Sequence, residues 1–74
     1  MKDQQRLVRK CLDNDVPVFV LCGTDINAVD TMESYYSFAD KNGCSKEFLD
    51  DLRLLINDFK KFQEEEPEKV RLPD

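Results

Sequence analysis

Residues 16–25, Val-Pro-Val-Phe-Val-Leu-Cys-Gly-Thr-Asp, constrain this chain more than any other stretch. Pro17 forbids a continuing helix, and Val16, preceding it, is held extended. Four apolar residues then follow without a polar break, rich in β-branched and aromatic types, and Gly23 closes the run. A continuous apolar run of this length predicts a short strand buried on both faces. It leads into Thr24 and Asp25, either of which offers a side-chain oxygen to the first turn of a following helix.

The other apolar residues fall at helical spacing. Leu7, Val8, Cys11 and Leu12 predict a helix over 3–13, ended by the turn signal Asn14-Asp15. Val29, Met32, Tyr36 and Ala39 form one stripe of a second helix, from about Ile26 to Lys41. Asn42-Gly43 stops it, with glycine suited to the left-handed position after the helix. Ser45 caps a third helix, in which Phe48, Leu52, Leu55, Phe59 and Phe62 recur every three or four residues. Leu49 and Ile56 widen that stripe to the breadth of a core-facing helix. Pro67 ends it, after the acidic run Glu64-Glu65-Glu66. In the tail, Val70 and Leu72 alternate with charged residues, as a half-exposed strand does, and Pro73 confines that strand to an edge.

The link between the second and third helices is short, so the two form an antiparallel hairpin. The third helix then returns to the end where the first strand finishes, and a strand at 70–72 is expected to lie antiparallel beside 18–21. The expected fold is α+β in the order α-β-α-α-β and mostly helical: an N-terminal helix, a buried short strand, an antiparallel helical hairpin and a C-terminal edge strand. All 74 residues make a single small domain.

A chain this short buries only about 60% of its unfolded surface, so it needs help from outside its core. Disulfides do not supply it: Cys11, Cys22 and Cys44 are odd in number and far apart. Metal does not supply it either, since there is no histidine and no Cys-x-x-Cys pair. No metal or other cofactor is expected. A second copy of the chain is the remaining source. A two-stranded ribbon leaves open edges, and two-fold symmetry buries them between protomers. One stripe of the second helix faces inward, so Tyr35 and Phe38 are left on its flank, where aromatic residues mark interfaces. Val18, Val20, Tyr35 and Phe38 are the expected interface of a homodimer; the competing expectation wraps the N-terminal helix over that flank.

The net charge of −5 argues against bulk attraction to nucleic acid or anionic membrane. Residues 1–10 nevertheless carry Lys2, Arg6, Arg9 and Lys10 against Asp3, a local +3, while the remainder carries −8. Four basic residues without interleaved aromatics are a weak nucleic-acid signal, so direct nucleic-acid binding is not expected. No run approaches the roughly 20 apolar residues of a membrane span, and the N-terminus has no signal-peptide core. The expected compartment is the cytoplasm.

Cys22 is the one nucleophile at a suggestive place, the end of a strand just before a helix N-terminus. Against it stand the absence of a histidine base and the presence of Asp25 nearby. Asp25, Asp30 and Glu33 cluster near the same helix start, where carboxylates cap and solvate. Asp50, Asp51 and Asp58 keep the outer face of the third helix wet. The run Glu64-Glu65-Glu66-Pro67-Glu68 reads as a solvated helix end or as a hook for a basic partner.

The frame Pro17-Val18-Phe19-Val20-Leu21, Gly23-Thr24-Asp25, Tyr35-Tyr36 and the terminal Arg71-Leu72-Pro73-Asp74 resembles small proteins carried by phages and other bacterial mobile elements. The resemblance implies a bacterial accessory protein and brings no catalytic residue with it. The expectation is therefore a non-enzymatic, self-associating protein-interaction module. The alternatives are an acidic modulator of a nucleic-acid-binding protein and a small thiol-dependent enzyme using Cys22.

Overall fold

The computed structural model describes residues 4–74. Lys2 and Asp3, counted in the basic N-terminal segment, lie outside the described residues. Among the described residues three helices carry the architecture, α1 (Gln4–Asp13), α2 (Ala28–Lys41) and α3 (Lys46–Glu65), followed by a 3-10 turn at Pro67–Lys69.

Local chemistry sets the helix ends. After α1, Asp15 takes a left-handed φ of 54°. The Val16 N–H then donates to the Cys11 carbonyl at 2.8 Å and the Asp15 N–H to the Leu12 carbonyl at 3.4 Å. This is the paired-bond ending in which a left-handed residue lets the chain turn back on the last carbonyls. The Asn14 side chain adds a bond from Nδ2 to the Lys10 carbonyl at 2.8 Å. The end of α2 repeats the device. Gly43, at φ 83°, donates to the Asp40 carbonyl, and Cys44 donates to the Ala39 carbonyl at 3.0 Å. Ser45 Oγ then accepts from the Phe48 N–H at 3.1 Å and opens α3. The two endings differ in one respect: Asp15 carries a Cβ in the left-handed region, where most L-residues are strained. Asp15→Gly is expected to favour the helical state of α1 by about 1 kcal/mol. A higher helix content by circular dichroism checks this, and an unchanged content refutes it.

The core is the seam of the α2–α3 hairpin. Ala28, Met32 and Ala39 from α2 and Leu52 and Ile56 from α3 are buried, and Ile56 is fully so. Leu21, Tyr36, Phe48, Leu55 and Phe59 pack against the central cluster of Met32, Leu52 and Ile56. One side of the seam is closed by charge. Glu33 of α2 reaches Arg53 Nη1 at 2.8 Å and Lys60 Nζ at 2.9 Å on α3. The Arg53 guanidinium also lies 4.4 Å from the centre of the Tyr36 ring. The bonds from Lys60 and then Arg53 hold the Glu33 carboxyl below its ordinary range, so the bridge persists into mild acid.

The expected α+β fold is corrected here: among the described residues there is no strand, and the architecture is helical. Residues 16–22 are extended but have no ladder partner, and Val16, Val18, Phe19 and Val20 are exposed rather than buried. The C-terminal edge strand does not form either. The tail makes one isolated bridge, Asp25 with Arg71, and it is parallel, not antiparallel. Arg71 donates to the Thr24 carbonyl at 2.9 Å, and Ile26 donates to the Arg71 carbonyl at 3.1 Å. Helix length explains the miss. At 20 residues against 14, α3 outreaches α2 by roughly 9 Å. The returning chain therefore overshoots the start of α2, and the turn at Pro67–Lys69 folds it back onto the loop at 24–26, beyond the reach of 18–21.

Helix α1 is amphipathic yet buries none of its residues. No Cα of α1 comes within 8 Å of α2 or α3 among the described residues. Among the described residues, α1 does not wrap over the hairpin. The radius of gyration, 13.5 Å, accordingly exceeds the roughly 11 Å of a fully compact chain of this length.

Candidate interaction surface

The loop from Leu21 to Asn27 joins the extended segment to the hairpin, and its position is fixed by α3. Gln63 Nε2 donates to the Gly23 carbonyl at 3.1 Å and to the Asp25 carbonyl at 3.0 Å. A Cβ at Gly23 would stand 3.2 Å from Phe62 Cδ1, so the backbone lies directly against that ring. The loop winds through two turns: Asp25 N–H donates to the Cys22 carbonyl, and Asp25 Oδ1 accepts from the Asn27 N–H at 2.8 Å. Asp25 thus holds the turn, but neither it nor Thr24 caps the helix: α2 starts at Ala28, and its N-cap residue is Asn27, which makes no side-chain capping bond. Sequence patterning missed Gln63 as an anchor. Its position carried a signal, being four residues after Phe59 and seven after Ile56 on the apolar arc of α3.

Beyond this anchor the segment runs free. Leu21 packs on the core, while Val20, on the opposite side of the extended chain, lines an open groove with Val8 and Leu12 of α1. Gln4, Gln5, Arg9 and Asp13 complete that groove. Phe19 is 80% exposed. Among the described residues, the backbone N–H and C=O groups of 18–21 make no hydrogen bond.

The four residues expected at an interface are all exposed, and they divide between two places. Val18 and Val20 lie in the extended segment. Tyr35 and Phe38 lie on the flank of α2, where the Tyr35 ring stands 6.4 Å from that of Phe48 at 60°. Phe38 is 64% exposed.

The chemistry-bearing residues are not gathered. Cys22 is exposed, as is Cys44, and all three cysteines are free thiols. Five loop residues separate Cys22 from the first residue of α2, and Cys22 is not among the residues lining the groove. Among the described residues, no three His, Cys, Asp or Glu side chains converge as a metal site requires. Asp50 pairs with Lys46 at 2.8 Å one turn away, and Glu66 with Lys69 at 2.8 Å. Arg6, Arg9 and Lys10 are exposed along α1. No helix among the described residues is long and apolar enough to cross a membrane. Comparison of the chain with protein-family models, curated proteins and solved structures finds no match.

Proposed function

We propose that this chain is a non-enzymatic protein-interaction module that acts by associating with itself, as a small bacterial accessory protein. The observation that carries the reading is the imbalance between apolar side chains buried and apolar side chains left in water. Among the described residues five hydrophobic ones are buried, and these are small or central to one seam, while Leu7, Leu12, Phe19, Phe38 and Leu72 are each more than 60% exposed. Fully burying one large apolar side chain is worth about 2 kcal/mol, so covering two or three of them outweighs much of the cost of association.

The α2 flank and the extended segment are the surfaces assigned to that contact. Light scattering and sedimentation at micromolar concentration are expected to show a dimer, and a clean monomer would overturn the reading. Phe38→Glu places a charge in the flank without touching the buried seam. It is expected to shift the chain toward monomer with its helix content intact; an unchanged oligomeric state removes the flank from the interface.

A further inference from the structure

The self-association just proposed leaves open how two copies meet. Resting on that reading, we propose that residues 18–22 pair antiparallel with the same residues of a second copy, across a two-fold axis at Val20. The juxtaposition behind this is an extended apolar segment with free backbone edges at 18–21, flanked by Asp13 and Asp15 at one end and by Asp25 with Arg71 at the other.

Both sides of the segment already have neighbours within the chain, Leu21 toward the core and Val20 toward α1. What lacks a partner is the edge. The N–H and C=O groups of four consecutive residues make no hydrogen bond among the described residues. An exposed apolar edge of this kind templates another strand. A strand pairing with its own copy meets the same groups it offers, which is the requirement of an isologous contact.

Charge selects the direction. Asp13 and Asp15 precede the segment, and Arg71 is held at its far end by its backbone bonds to Thr24 and Ile26. The side chains of Asp13, Asp15 and Arg71 have no ion-pair partner among the described residues. A parallel pair would set acids on acids. The antiparallel pair sets Asp15 opposite Asp25 of the second copy, and there that copy's Arg71, bridged to Asp25 through the backbone, adds a positive charge that a parallel pair lacks.

Proline selects the register. In an antiparallel pair every second residue exchanges backbone bonds with its partner. Pro17 has no N–H, so it must occupy a non-bonded position. Val18, Val20 and Cys22 are then the bonded residues, the Cys22 carbonyl accepting from Val18 of the second copy as well as from its own Asp25 N–H. With Val20 opposite itself, Val18 faces Cys22, and the exposed Phe19 ring lies across Leu21 of the second copy, over that copy's core.

Amide hydrogen exchange of the full chain tests the pairing, at a concentration where light scattering reports the dimer. The amides of Val18, Val20 and Cys22 are expected to exchange at least about tenfold more slowly than those of Phe19 and Leu21. Val20→Pro removes the central donor in a segment whose backbone is already extended, so the hairpin should melt as before. That variant is expected to weaken the dimer tenfold or more, while Val20→Thr, which keeps the N–H, should leave it within about threefold. A wild-type monomer overturns both the pairing and self-association. A dimer that survives Val20→Pro, with no alternation in exchange, overturns the pairing and leaves self-association standing through another surface.

Discussion

Ile56→Ala is expected to cost the chain about 3–4 kcal/mol, the range for removing a large aliphatic side chain from a filled core. Ile56 is fully buried and lies in the central cluster with Met32 and Leu52, at the seam where α2 meets α3. A domain of this length has only about 4–11 kcal/mol of stability in total. The substitution therefore removes a large share of it, and the melting temperature should fall by about 20 °C, by the usual scaling for small domains. Thermal circular dichroism measures the fall directly. Ile56→Val, which keeps the branched carbon and removes one methyl, should cost about 1 kcal/mol. A fall under about 5 °C for Ile56→Ala would mean that this seam is not what holds the hairpin together.

Gln63→Glu is the second large effect, and it acts by electrostatics at constant shape. The Gln63 amide donates to two carbonyls, Gly23 and Asp25, and so fastens the loop to α3. An ionised carboxylate at that position only accepts, and it would face two carbonyl oxygens. Leaving such groups unpaired and opposed costs about 2–3 kcal/mol. The pH dependence has a definite sign. The carboxyl is easier to hold protonated when folded, because the protonated form donates one hydrogen bond to a carbonyl. Its folded pKa is thus raised above the ordinary glutamate value of about 4.3. The deficit against wild type is fully present above that raised value and shrinks as pH falls toward the unfolded one. Urea midpoints of both proteins at pH 7 and pH 4 give the comparison, and a deficit independent of pH would refute the mechanism. Loosening the loop also releases the anchor of 18–21, so the variant should lose dimer together with stability.

Both effects concern residues whose roles were legible to different degrees. Ile56 was readable because three- and four-residue spacing marks the buried arc of α3 whatever the partner. Gln63 sat on that same arc, but a polar residue there does not announce which carbonyls it will meet. By spacing alone Glu33 reads, like Asp25 and Asp30, as a solvated acid near a helix start; in the fold it joins Arg53 and Lys60 across the seam. That triad depends on the pairing of two helices face to face, and spacing within one helix does not encode it. The expected interface residues proved exposed as a set, yet their division between the segment and the α2 flank follows from where the loop at 21–27 is pinned.

The sequence by itself determined the three helices and where each of them stops. Pro17 and Pro67 deny a helix its hydrogen bonds, Gly43 takes the left-handed turn, and Ser45 supplies an oxygen to the Phe48 N–H. These are contacts within a few residues, so no distant partner can alter them much. The short link at 42–45 likewise made the hairpin unavoidable. The tertiary structure decided what the apolar segment 16–22 and the tail at 70–72 became. Both have strand-forming residues, but a strand exists only when a second one lies alongside it. Whether it does depends on how far a 20-residue helix overshoots a 14-residue one and on where Gln63 fastens the loop. Those are sums over the whole fold, and they left the segment extended, apolar and unpaired.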